Sequence, residues 1–152
     1  MGDPHISTRN VAEIVTYWLS GNEEALNQSV RRARDHIDRS RSPDGSFEHE
    51  DLVVDVGLLE AIAGNTEVAE KYVYEGLRVM QADPAAYTSF SHYGCRTFAI
   101  ANAVESAVDC LRRVLTEPSS AVGFLEPRMP EYDSIRDEPA FIELLGEIED
   151  SP

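Results

Sequence analysis

Three breaks of two residues, Gly21-Asn22, Gly64-Asn65 and Ala101-Asn102, interrupt stretches that otherwise read as helix. A connection that short turns the chain straight back, so the helices on either side of it are antiparallel neighbours. The fold class expected is therefore all-α. Before the first break, Val11, Ile14, Val15, Trp18 and Leu19 recur at helical spacing, and after it Leu26, Val30, Ala33 and Ile37 form one stripe. Gly21 suits a left-handed helix end and Asn22 the cap of the next helix. Further helices are predicted over 49–63, 66–82, 85–100 and 102–116, with Asp83-Pro84 and Pro118 as stops. Residues 118–137 read as irregular, and Pro139 suits the first turn of a last helix. Seven helices result, six of them paired, and no segment alternates like a strand.

The second and third pairs share a period. Gly64 and Ala101 are 37 residues apart (101 − 64), and so are Gly57 and Gly94 (94 − 57). A glycine inside a helix costs about 1 kcal/mol relative to alanine, so two at one phase imply close helix approach. Ala69 and Ser106 follow the breaks at the same distance, and Ala33 and Gly76 also match. These residues resemble the tetratricopeptide repeat. In the third pair Phe90, Tyr93, Gly94, Ser106, Cys110 and Pro118 carry the likeness. Val53, Val56, Gly57, Ala69, Val73 and Gly76 carry it in the second. The first pair is degenerate, with Tyr17, Leu26, Val30 and Ala33, and departs at Ile14; Arg113 also departs from the pattern. The tail is similar to the closing segment of bacterial arrays of this repeat. Tyr132, Asp133, Ile135, Arg136, Asp137, Pro139, Phe141, Leu144 and Leu145 match, and Ser134 stands where a proline is common.

The resemblance implies a right-handed superhelical stack of about three antiparallel helix pairs with a C-terminal capping helix. The single domain, 1–152, would divide into a degenerate pair at 7–41, pairs at 49–83 and 85–117, and a closing segment at 118–152. Each unit cannot bury its apolar face alone, so stacked units need atypical ends. The first helix of each pair would line a concave groove, with Asp51, Val54, Leu58 and Ala61 from the second pair and Thr88, Ser91, Cys95 and Phe98 from the third. None of the eight is basic, so no clamp for a terminal carboxylate is expected.

Charge narrows the partner. The chain has 13 basic and 28 acidic residues, a net −15 that repels nucleic acid and anionic membranes. The expected partner is a protein or peptide, basic or apolar rather than acidic. Lys71 is the one lysine beside 12 arginines, a bias that a high-salt host or a GC-rich genome would each produce. Cys95 and Cys110 lie in apolar surroundings without metal spacing and are expected as buried thiols of a cytoplasmic protein. Neither a leader peptide nor a membrane-spanning run is visible.

Candidates for chemistry are few. The histidines are His5, His36, His49 and His92. His49 stands among Glu48, Glu50 and Asp51, but neighbours in sequence point to different sides of a helix, and Val53 breaks the HExxH pattern. Ser91, His92 and Cys95 are close enough to converge, which a Cys–His nucleophile would require. No phosphate loop, dinucleotide fingerprint or nucleophile elbow occurs. No catalytic residue, metal or cofactor is expected. The function expected is a scaffold that binds a partner peptide or helix in the groove. Two alternatives stay open: a small-molecule or enzymatic site around His92 and Cys95, and a homodimer through the concave face.

Overall fold

A computed structural model describes residues 6–47, 51–82, 84–116 and 125–149, with side chains described for 11–47, 52–82, 91–116 and 125–149. Helices α1 (Ile6–Ser20), α2 (Glu23–Arg39), α3 (Asp51–Ile62), α4 (Thr66–Met80), α5 (Pro84–Ile100) and α6 (Val104–Thr116) form three consecutive pairs. Two short 3-10 helices follow, η1 (Glu126–Arg128) and η2 (Pro130–Ile135), and then α7 (Pro139–Glu149). Among the described residues there is no strand, only an isolated bridge between Arg41 and Phe47. The prediction of irregular chain before the last helix is corrected over 126–135. Pro127 and Pro130 each fix φ near the helical value at the start of a tight turn, which seeds short helices.

All three turns close in one way. Gly21, Gly64 and Asn102 take positive φ, at 67°, 80° and 58°. The residue after each one donates its N–H back across the helix end, Asn22 to Tyr17 O, Asn65 to Glu60 O and Ala103 to Phe98 O. That is the bond pattern of a left-handed helix cap, and it satisfies carbonyls the helix leaves open. Asn22 then caps α2 through its side chain, which accepts from Ala25 N at 3.2 Å. Asn102 closes α5 and so does not serve as the cap that opens α6. The left-handed residue of the third turn comes 38 residues after Gly64 (102 − 64), one more than the sequence period.

The extra residue coincides with a difference between the two glycines. A Cβ on Gly57 would meet Val73 Cγ2 at 2.8 Å and Ala69 O at 3.3 Å, both on the paired helix α4. A Cβ on Gly94 would meet Leu77 and Val73 at 3.2–3.3 Å, again on α4 but in the preceding pair. Gly57 therefore permits contact within a pair, and Gly94 permits contact between pairs.

Hydrogen bonds tie one pair to the next. Thr66 Oγ1 donates to Ala101 O at 2.7 Å, joining the second turn to the third. Tyr74 Oη donates to Ser106 Oγ at 2.9 Å, and Ser106 Oγ donates to Glu70. Tyr74 also lies against Phe98, ring centroids 4.9 Å apart, and remains about half exposed while Tyr72 is partly buried in the core. Trp18 packs against the core, as its helical stripe predicts.

The closing segment divides its contacts. The η2 segment lies on α5, and α7 lies on α6. Phe141 and Leu144 are fully buried by that docking, and Phe141 stacks on Tyr132 at 5.8 Å. Burying each such side chain contributes about 1.5–3 kcal/mol. Removal of residues 138–152 is expected to expose this face of α6 and to cause aggregation on heating, measured by light scattering. A truncated chain as soluble and as stable as the full chain would show that α7 is not a lid.

Candidate functional site

The structure places the expected groove residues inside the protein. Val54 is 0% exposed, Leu58 1%, Ala61 4%, Ser91 1%, Cys95 0% and Phe98 1%. They do not floor an accessible groove; they fill the contacts between helices. Val54 lies under Gly76 of α4, Cys95 faces α6, and Phe98 meets Tyr74 of α4. The side chains of Asp51 and Thr88 lie outside the described residues, as do those of Glu48, His49 and Glu50.

Cys95 and Cys110 form a disulfide, with Cα atoms 5.3 Å apart. The expectation of two free thiols is corrected, and the cysteine-based case for a reducing compartment goes with it. The alternative reading of Cys95 as a nucleophile loses its thiolate in the same way. No helix among the described residues is long and apolar enough to cross a membrane.

One crevice opens where α1, α2 and α3 meet. Val11, Ile14, Ala33, Ile37, Leu58 and Leu59 form its walls, with His36 and Asp55 as its polar groups. Its cavity volume is about 10 Å³, room for one water or the tip of a small side chain. Among the described residues, Leu58 is the one expected groove residue that lines it. Asp55 accepts from Tyr93 Oη at 3.1 Å, which ties this corner to α5.

A second polar constellation sits between α5 and the closing segment. Glu126 is 0% exposed. Its Oε1 accepts from Arg96 Nε at 2.7 Å and from Tyr132 Oη at 3.0 Å, and its Oε2 accepts from Arg96 Nη2 at 2.7 Å. Arg96 also approaches Glu131 at 3.8 Å. The planar guanidinium matches the carboxylate fork, which makes this pair strong for its size. The hydrogen bond to Glu126 raises the Arg96 guanidinium above its ordinary value. Burial first, and the Glu126 charge second, push the Tyr132 hydroxyl well above 10.0.

His92, one turn before Arg96, does meet a carboxylate. Its Nδ1 stands 3.5 Å from Glu126 Oε2, but it makes no hydrogen bond there. Glu131 Oε2 is likewise buried without a hydrogen-bond partner. Three hydrogen bonds hold Glu126, and the two from Arg96 tie the closing segment to α5. No group of three His, Cys, Asp or Glu side chains among the described residues is arranged to hold a metal ion. Sequence reasoning missed Glu126. The available signal was Arg96, the one arginine or lysine in a 17-residue helix that has no acidic residue.

Tyr132→Phe is expected to cost about 1 kcal/mol at neutral pH through the lost bond to Glu126. A tyrosine raised in the folded state contributes stability that is complete below 10.0 and fades as pH rises beyond it. The gap between wild type and Tyr132→Phe should therefore narrow above pH 10 in urea titrations at several pH values. A gap that stays constant to pH 11 would show that Tyr132 ionises equally in both states.

Comparison with protein-family models, with curated proteins and with solved structures finds no match.

Proposed function

We propose that this protein is an interaction module of the tetratricopeptide-repeat kind, a right-handed superhelical stack that binds a basic protein segment without catalysing a reaction. The observation that carries this reading is the crevice at the α1–α2–α3 junction, apolar in its walls and bearing Asp55 and His36. A partner segment would seat one small apolar side chain there. Flanking lysine or arginine would then meet a surface with an excess of acid.

That excess is accentuated by how the arginines are used. Arg32, Arg34, Arg78, Arg96, Arg112 and Arg136 are each engaged in an ion pair with an acidic residue of the same chain. Exposed carboxylates such as Glu23, Glu24, Asp35, Asp38 and Glu67 are left to set the field that an approaching partner feels. Helical arrays of this kind take extended or helical segments, so a short crevice supplies one anchor within a longer contact.

The test is a titration of the isotopically labelled protein, followed by amide shifts. One peptide carries alanine and valine anchors between arginines, and a control carries the same anchors between glutamates. The basic peptide is expected to move amides of 11–15, 33–37 and 55–59, and Asp55→Asn should weaken that response several-fold. Equal response to both peptides, or shifts elsewhere, would overturn the reading. Light scattering on the unbound protein gives the size in solution, and a dimer that hides these amides would favour self-association instead.

A further inference from the structure

The Cys95–Cys110 bond joins α5 to α6, and these are the two helices that the closing segment straddles. The η2 segment rests on α5 and α7 rests on α6. Cys95 sits on α5 between His92 and Arg96, the two side chains that face Glu126. One turn further on, Ala99 O accepts from Ser134 Oγ of η2 at 3.0 Å. The position of α5 against α6 is therefore the template on which the segment docks, and the disulfide restrains that position beyond what helix packing provides.

The same place suits the reduced pair. Cys95 is 0% exposed and Cys110 5%, among apolar neighbours. The Cys110 sulfur lies 3.7 Å from Ser91 O, the carbonyl one turn before Cys95. A disulfide sulfur has no hydrogen to donate, so in the oxidised protein this is only a contact. After reduction the Cys110 thiol finds an acceptor already in place, so its S–H need not be buried unpaired. The bond also spans only 15 residues of sequence, and helix packing already holds its ends together. The fold therefore does not depend on the bond to bring α5 and α6 together.

We propose that Cys95 and Cys110 form a reversible redox couple whose two states are both folded, and that reduction loosens the closing segment from α5. The reductant is a dithiol. Its two S–H groups give their hydrogens and electrons to the protein disulfide, which becomes two thiols, while the dithiol becomes a cyclic disulfide. A small disulfide oxidant reverses the exchange. Because both sulfurs are buried, exchange requires a local opening of α5 from α6, and the rate of reduction reports that opening.

The experiment uses the full chain, purified without reductant and compared before and after dithiothreitol. Thiols are trapped in denaturant and counted by intact mass, and amide exchange is followed by peptide mass spectrometry. The oxidised protein is expected to show no alkylated cysteine. The reduced protein should keep its helical circular dichroism, melt about 10 °C lower, and exchange residues 125–136 about tenfold faster with 66–80 unchanged. Cys95→Ala with Cys110→Ala should show the fast exchange with or without dithiothreitol. Two alkylated thiols after treatment with a disulfide oxidant would show that the pair does not form. Loss of helix on reduction would make the bond a fixed staple. Unchanged exchange over 125–136 would remove the coupling to the closing segment.

Discussion

Arg96→Met will destabilise the protein by about 3 kcal/mol, the largest effect expected of any single polar substitution in it. The carboxylate of Glu126 is fully buried and takes two of its three hydrogen bonds from Arg96. Without the guanidinium the buried carboxylate keeps one hydrogen bond, from Tyr132, with His92 Nδ1 3.5 Å away. Breaking a buried pair from one side costs about 3–5 kcal/mol, and the low end applies because the Arg96 side chain keeps 28% of its exposure. The double variant Arg96→Met with Glu126→Leu should recover about 2 kcal/mol of that loss, because both charges leave together. Urea unfolding of the four proteins gives the coupling. Additive effects would mean that water reaches Glu126 and that the pair does not hold the closing segment.

Gly76→Ala should lower stability by about 2 kcal/mol, whereas Gly94→Ala should leave it nearly unchanged. Alanine gains about 1 kcal/mol over glycine in any helix, so the outcome depends on what its methyl meets. At Gly76 the new Cβ would overlap Val54 Cγ2, and Val54 N lies at 3.4 Å. Val54 is fully buried and β-branched, so its methyl has no free rotamer to take. At Gly94 the nearest atoms are the end methyls of Leu77 at 3.2 Å, which can shift by a few tenths of an ångström. A larger side chain removes that latitude, and Gly94→Leu is expected to cost about 1–3 kcal/mol by forcing the second and third pairs apart. Thermal melts of the three variants test the order. A stabilised Gly76→Ala would show that α3 and α4 pack less closely there.

Local chemistry was legible in the sequence. The helices, the turns at Gly21 and Gly64, the Asn22 cap and the proline-led last helix all follow from bonds within a few residues of chain. Those bonds join near neighbours in the chain, so local sequence patterns can encode them even though packing supplies most of the stability. The faces of the helices were legible only where apolar residues form a stripe. In α2 they do, and Ala33 and Ile37 are buried as expected. In α3, Leu52, Val53, Val54, Val56, Leu58 and Leu59 surround the helix, so its pattern cannot say which side looks outward. Val54, Leu58, Ala61, Ser91, Cys95 and Phe98, which the resemblance assigned to a groove, are buried instead.

What the tertiary structure alone decided are the meetings of residues far apart in the chain. Cys95 reaches Cys110 across two helices, and Arg96 reaches Glu126 across 30 positions. No periodicity encodes such a pair, because each partner is locally acceptable as a surface or core residue by itself. Packing brings them together, and only burial turns a common glutamate into the charged anchor of the closing segment. The sequence by itself thus determined the helices and where they end. The packing of α5 between α4, α6 and the tail decided which side chains are buried and which stay at the surface, because helix–helix contact is fixed by shape over the whole chain.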